Sequence, residues 1–336
     1  MACLPGKEAN SPHSPVLLNE FLHAVSPVKG TWLDGTFGGG GYTLALLRRG
    51  AEHVFGIDCD PEAEERSNAL ELGECFTFVQ GDFAGFDALE KISHSVPLDG
   101  VVFDLGVSSM QIDHAPRGFS FSNEGPLDMR FRKAGRTAAS IVNNESEESL
   151  ADIFYFLGGE RAAKRIARRI ANERRISPIV TTTQLADIVS SCIPRSLRGS
   201  KHPATRCFLA LRIAVNDELG QLVDGLEAAE RSLRPGGRLA VVSFHSGEDR
   251  IVKRFLKSGN SGVAGGNRHL PGKEAASARF EATTRGAIKP TREEINCNPR
   301  SRSARLRAGR RNSVPAAKID RRELGVPILE KFQMKR

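Results

Sequence analysis

Four aspartates recur at the ends of short apolar runs. Asp34 follows residues 31–33, Asp58 follows 53–57, Asp82 lies just beyond Phe76–Gln80, and Asp104 closes Leu98–Asp104. One acid at such a place is common. Four at consecutive strand ends would line a single crevice at the carboxyl edge of a parallel sheet. The glycines Gly38 to Gly41 follow the first of these acids. They allow positive φ and let a ligand approach backbone with no Cβ in the way. Asp58 stands about 20 residues beyond the start of that turn, where a carboxylate accepts hydrogen bonds from two ribose hydroxyls. Asp34, ahead of the glycines, suits an ammonium group and would repel a pyrophosphate. Together these residues point to a nucleoside ligand that carries an amino acid.

The elements that must position them follow from the pattern of apolar runs. Strands at 31–33, 53–57, Phe76–Gln80 and Leu98–Asp104 alternate with helices at 15–24, 43–49 and 61–73. Alternation of this kind predicts βαβ units and a parallel sheet covered by helices. From 112 to 207 the pattern turns to helices and loops, with helices at 145–157, 160–173 and 183–192. The irregular stretch 117–132 is long enough to be functional. One long helix is expected over 208–231, then a Pro-Gly-Gly turn into a strand ending at Ser243. Residues 279–288 and 303–307 form a last antiparallel pair.

Composition narrows the class. The chain has 336 residues and six scattered cysteines with no C-x-x-C pair, which reads as reduced thiols without a disulfide framework or a zinc site. No apolar run has transmembrane length, and the polar opening residues resemble no secretory signal. The net charge is +8, but residues 299–336 hold 12 Lys and Arg against three acids, so the first 298 residues net −1. This basic tail and a second cluster at 161–175 attract polyanions, nucleic acid first.

Longer motifs add a resemblance. His13-Ser-Pro-Val-Leu-Leu, Asp34-Gly-Thr-Phe-Gly-Gly-Gly-Gly, Asp104-Leu-Gly-Val-Ser-Ser, Arg117-Gly-Phe-Ser-Phe, Gly125-Pro-Leu-Asp-Met-Arg, Lys201-His-Pro-Ala-Thr-Arg, Ser243-Phe-His-Ser-Gly-Glu-Asp-Arg and Asn298-Pro-Arg-Ser-Arg-Ser span most of the chain. Together they resemble the bacterial 16S ribosomal RNA cytosine-N4 methyltransferase family. The resemblance implies an α/β fold, a Rossmann-like class I methyltransferase sheet with an inserted α-helical domain. It implies S-adenosylmethionine as cofactor, no metal, and methylation of the exocyclic N4 of a cytosine in the decoding region of small-subunit rRNA. Expected partners are 16S rRNA or the small ribosomal subunit, in the cytoplasm, with no membrane; a homodimer stays open.

Carried over by position, cofactor contacts fall on Gly40, Gly41, Tyr42, Asp58, Phe83, Asp104 and Gln111. Tyr42 departs from the family's usual histidine, which puts a side-chain role there in question. Phe83 is expected to pack on the adenine ring. Asp104, Ser108, Ser109 and His245 are the candidates for gripping the reacting amine. Arg161, Lys164, Arg165, Arg168, Lys201, His202, Arg206 and Arg302 are the candidates for holding RNA, and Phe119 or Phe121 for stacking on an extruded base. The expected organisation is a tail at 1–14, a discontinuous methyltransferase domain at 15–111 and 208–310, a substrate-recognition insertion at 112–207 that closes over the crevice, and a basic tail at 311–336. The alternatives are an amino-methyltransferase acting on another nucleic acid and a non-catalytic ribosome-assembly factor. A nicotinamide-dependent oxidoreductase is disfavoured by Asp34 and the Pro-Gly-Gly turn.

Overall fold

A computed structural model describes residues 15–194, 202–258 and 278–329. The chain divides into two compact units, one of residues 1–106 and 221–326, the other of 107–220 and 327–336. In the first unit α1 (Leu18–Val25) leads into β1 (Gly30–Asp34), α2 (Gly41–Arg48), β2 (Ala51–Asp58), α3 (Glu62–Asn68), β3 (Phe76–Gln80), α4 (Glu90–Ser93) and β4 (Leu98–Asp104). The second unit holds α5 (Ser109–Asp113), α6 (Ala138–Asn144), α7 (Glu147–Asp152), a π-helical turn (Ile153–Leu157), α8 (Ala163–Glu173), α9 (Thr182–Cys192) and α10 (Thr205–Asn216). Then follow α11 (Glu218–Ser232), β5 (Leu233–Ser243), α12 (Ser246–Lys257), β6 (Phe280–Ala282), α13 (Arg292–Cys297), β7 (Arg305–Arg311) and α14 (Arg321–Leu324). Among the described residues no helix is long and apolar enough to cross a membrane.

The sheet has seven strands in the order β3-β2-β1-β4-β5-β7-β6. The first five pair in parallel, and β7 pairs antiparallel to both β5 and β6. This is the Rossmann-like sheet that the resemblance implies, with the antiparallel pair β7 and β6 at one end. Its central strands are continuous apolar runs, Val54–Ile57 in β2 and Val101–Phe103 in β4, because helices cover both faces. On one face Phe21, Leu22 and Val25 of α1 join Trp32, Val54, Val102, Val242 and Leu306 in a single buried cluster. The second unit is helical. Among its described residues only an isolated antiparallel bridge, Pro126 with Thr181, departs from helix and loop.

Two expectations are corrected. The long helix of 208–231 is two helices, α10 and α11, broken at Asp217, whose φ is 49°. The reason is local. Asn216 donates its Nδ2 to Arg212 O (2.9 Å) and Met129 O (2.8 Å), and its Oδ1 accepts from Phe131 N (2.9 Å). Side chains of this type compete with the helical backbone and tolerate the left-handed region. The strand expected at 303–307 is present and longer, and the tail expected at 311–336 begins inside the first unit. Arg305–Arg311 is β7, inside the sheet, and the first unit extends to Val326. Alternation along the strand sends Arg307 to Asp249 (2.8 Å) and buries Arg311 beside Glu230.

Candidate active site

The turn after β1 is held from three sides. Gly35 N donates to Val102 O of β4 (2.9 Å), and Phe37 N to Ile57 O of β2 (2.8 Å). Asp34 is fully buried. Its Oδ1 accepts from Thr36 N (3.3 Å) and its Oδ2 from Thr43 Oγ1 in the first turn of α2 (2.9 Å). Burial, with the Asp58 charge adding to it, raises its pKa to about 6 against the lowering effect of these hydrogen bonds. Asp34 therefore ties the glycine turn to the helix that follows. It has no exposed face with which to meet a ligand's ammonium, and that part of the sequence expectation is corrected.

The glycines divide by what surrounds them. A Cβ on Gly39 would meet nothing within 4 Å, so this part of the turn is open. Gly40 and Gly41 are closed on their Cβ side: Leu70 Cδ1 would lie 2.5 Å from a Cβ on Gly40, and Pro15 Cγ 2.3 Å from one on Gly41. Gly40 also holds φ at 75°, a left-handed conformation just before α2. Tyr42 is 3% exposed, donates its hydroxyl to Val16 O and packs edge-on against Phe21 (5.0 Å between centroids). Its side chain faces the core. Gly40, Gly41 and Tyr42 can therefore meet a ligand only through backbone.

Asp58 closes the turn from the neighbouring strand. Its Oδ2 accepts from Gly38 N and its Oδ1 from Asp60 N, both at 2.8 Å. Burial raises its pKa, with these bonds and Arg66 acting against the rise. Two acceptor positions are thus used and two remain for hydroxyls. Arg66 Nε donates to Gly38 O (2.9 Å) and pins the turn from α3.

Asp104 differs from both. Its backbone N donates to Thr36 Oγ1 (2.6 Å), which aligns the end of β4 with the turn. Its Oδ1 is enclosed and has no hydrogen-bond partner among the described residues. Burial raises its pKa well above the ordinary carboxylate range, and the Asp34 and Glu248 charges add to the rise. An enclosed acceptor among like charges suits a ligand that brings N–H donors or positive charge.

Phe83 packs its ring on Phe103 (4.9 Å between centroids) and closely against Gly225 of α11. His245 is the N-cap of α12. Its Nδ1 accepts from Gly247 N (3.2 Å) and Glu248 N (3.4 Å), while Glu248 Oε2 accepts from Phe244 N (2.8 Å) and His245 N (3.2 Å). With Nδ1 taken, the neutral ring carries its proton on Nε2, which lies 3.1 Å from Glu248 Oε1. His245 is thus a positioning residue that sets the start of α12 beside the carboxyl end of β5.

A family model described as the MraW methylase family matches residues 10–312. The chain belongs to the MraW methylase family. The relatives agree in length as well as sequence. The protein named ribosomal RNA small subunit methyltransferase H of Cereibacter sphaeroides (strain KD131 / KCTC 12085) is 55% identical over 323 residues, covering 95% of this chain and 96% of the relative. Its namesake in Dinoroseobacter shibae is also 55% identical, with the same coverage. Among solved structures, an rRNA methylase from Streptococcus thermophilus is similar at a TM-score of 0.38 and 12% identity, over 88% of this chain and 93% of that one. The likeness is too distant to bear on chemistry.

The remaining candidates of this methylase lie elsewhere. Ser108, Ser109 and Gln111 belong to the second unit, where Ser108 and Gln111 form the capping box of α5: Gln111 N donates to Ser108 Oγ (3.2 Å) and Ser108 N to Gln111 Oε1 (3.1 Å). Arg161, Lys164, Arg165 and Arg168 are all exposed around α8, whose other side buries Ala163, Ile166, Ala167 and Ile170. Of these, Arg168 pairs with Glu147 (3.3 Å). Arg206 and Arg302 are exposed. Exposed His202 stacks on Phe121 (4.5 Å), which meets Phe208 edge-on (4.8 Å); Phe119 stacks on Phe131 (5.4 Å). Lys201 lies outside the described residues. The stretch 117–132 is tied to itself. Arg117 Nη2 donates to Arg130 O and Phe131 O, and Arg130 pairs with Asp128 through two 2.8 Å bonds.

Sequence reasoning missed Thr36, Thr43, Arg66 and Glu248. Two signals were present. An aspartate two residues before a backbone donor, as in Asp34-Gly-Thr36 and Asp58-Cys-Asp60, is an Asx-turn pattern. Likewise His245-Ser-Gly-Glu248 has the spacing of a capping box.

Proposed function

We propose that this chain is an S-adenosylmethionine-dependent methyltransferase of small-subunit ribosomal RNA, and that its target is the exocyclic N4 of a cytosine in the decoding region. The observation that carries the reading is the likeness to proteins of that name over nearly the full length of both chains. Asp104 supports the cofactor: an enclosed carboxylate oxygen without a partner is what a ligand with an ammonium and a sulfonium would satisfy. The two remaining acceptor positions of Asp58 suit ribose hydroxyls. Phe83 offers an apolar ring edge at the end of β3 for a base. The backbone from Gly39 to Tyr42 serves the amino-acid end.

When bound, S-adenosylmethionine supplies a methyl group bonded to a positively charged sulfur. The protein's part is to orient and to handle protons. The amino lone pair of cytosine is delocalised into the ring, so an acceptor on its N–H favours a pyramidal, nucleophilic nitrogen. In this reading Asp104 accepts that hydrogen bond, and its raised pKa makes it a better resting place for the departing proton. His245 and Glu248 fix the end of β5, and alignment of the reactants supplies much of the acceleration.

The deciding experiment incubates the purified protein and methyl-labelled S-adenosylmethionine with small subunits, naked rRNA or DNA, followed by digestion to nucleosides. Label in N4-methylcytidine from RNA is the expected result. Label in another RNA nucleoside overturns the finer statement, and no label in any RNA, including label only in DNA, overturns the coarser one.

A further inference from the structure

A recess of about 450 Å³ lies in the first unit beside the last turn of α12. Lys253, Arg254 and Lys257 line it from α12, Lys318 from the segment before α14, and Arg279 from the residue before β6. Two acids share the rim. Asp320 is engaged as the N-cap of α14, accepting from Arg322 N (2.9 Å), and Glu323 is exposed. The lining therefore carries five cationic side chains against two carboxylates.

Basic residues in the last turn of a helix often serve only its dipole. Here two more cations converge from other segments, and one of them is buried. Arg279 is 8% exposed and donates to Glu230 Oε2 (2.8 Å), Ala317 O (2.6 Å) and Ser258 Oγ (2.9 Å). The same Glu230 also faces buried Arg311 at 3.6 Å. One carboxylate serves two guanidiniums, so the floor of the recess keeps an excess positive charge. Buried charge of one sign calls for a counter-charge. Lys253, Lys257 and Lys318 are exposed above it, with no ion pair among the described residues.

The recess is remote from the acid-lined crevice. α12 starts at His245, at the carboxyl end of β5, and its 12 residues span about 18 Å. Asp249, in its first turn, pairs with Arg307, which lies opposite Val241. Leu256, in its last turn, packs against Gly309, which lies opposite Leu239, two residues further from the carboxyl end of the strand. The helix thus carries the lysines away from the edge that holds Asp34, Asp58 and Asp104.

Resting on the reading of RNA as substrate, we propose that this recess is a second RNA contact, in which Lys253, Lys257 and Lys318 hold backbone phosphates of a strand segment that does not reach the methylation crevice. Such a contact anchors the substrate and takes no part in chemistry.

The test is the full-length triple variant Lys253→Ala, Lys257→Ala, Lys318→Ala, all exposed positions. Its binding to small-subunit rRNA is measured across a salt series, alongside steady-state methyl transfer. RNA affinity should fall on the order of tenfold at low salt, and the slope of log affinity against log salt should shrink by about two for three phosphates. KM for RNA should rise with kcat and cofactor affinity unchanged. An unchanged salt slope and KM overturn the proposal. So does tight binding of inorganic phosphate that the triple variant loses while its RNA slope stays the same, because the recess then serves a free anion. If the wild-type protein neither binds nor methylates RNA, the functional reading itself fails; a methylating wild type with an unaffected variant refutes this inference alone.

Discussion

Two buried charge clusters in the sheet unit are built on opposite plans. Between α11, β6 and β7, Glu230 meets Arg279 and Arg311, and the guanidiniums spread their remaining N–H groups over carbonyls and a serine. At the carboxyl edge, Asp34 and Asp104 have no cation paired to either among the described residues, and the Asp34 charge adds to the rise at Asp104. The first cluster pairs opposite charges, one carboxylate between two guanidiniums, and pins the segment after β7 to the sheet. The second holds carboxylates without a cation beside them, and the proposed reading has a positively charged ligand complete it at Asp104. Perturbed groups of this kind gather at functional sites, whereas compensated pairs hold structure.

Breaking each cluster should have different consequences. The largest effect is expected from Glu230→Gln, which leaves two buried guanidiniums without a full counter-charge. It should cost about 3–5 kcal/mol of stability by chemical denaturation. Cofactor affinity, measured at a temperature where the variant is folded, should not change. A loss of less than about 1 kcal/mol would mean that the cluster is not the structural element described.

Asp34→Asn sharpens the other side. Asp34 titrates near 3.8 unfolded and about 6 folded. The folded state therefore binds this proton more tightly. The stability linked to it is present below pH 3.8 and is lost as pH rises through 6, by up to about 3 kcal/mol. Asparagine keeps the bond from Thr36 N and can accommodate Thr43 Oγ1. The variant should abolish this slope and be at least as stable as the wild type at pH 7. A destabilised variant with an unchanged slope would place the titration elsewhere.

Asp104→Ala should weaken S-adenosylmethionine on the order of tenfold while leaving stability unchanged or improved, because it removes an enclosed oxygen, Oδ1, that has no partner among the described residues. In the wild type, affinity should fall as pH drops, since a cation prefers the ionised carboxylate and protonation opposes it; calorimetry in buffers of different ionisation heat should detect proton release on binding. Unaltered affinity in the variant would remove Asp104 from the cofactor site. The smallest effect is expected from Tyr42→Phe, which loses one hydrogen bond to Val16 O, about 1 kcal/mol of stability, with cofactor affinity unchanged. A change in affinity would give the Tyr42 side chain a role that its buried position does not.

The first four parallel strands were legible because each is a largely apolar run, and their ends were legible because an acid closes or soon follows each run. Phe76–Gln80 and Leu98–Asp104 stand in the structure with the limits expected of them. The break at Asn216-Asp217 was not legible. It depends on Met129 and Phe131, more than 80 positions away, being within reach of one amide side chain. The strand expected at 303–307 is present, but its arginines concealed how far it runs, because alternation to Arg311 became visible only with Asp249 and Glu230 opposite them.

Residue types and spacing alone settled the order of strands and helices, the glycine turn and the acids at the sheet edge, since these follow from local periodicity and from what each side chain allows its own backbone. The division of labour among the acids belongs to the tertiary structure. Asp34, Asp58 and Asp104 are one residue type at like positions in three βα units. Only their surroundings make the first a buried tie, the second a clasp on the turn and the third an acceptor without a partner. A carboxylate's role is set by its desolvation and by the donors and charges around it, and those come from β1, β2, β4 and α12 packed together.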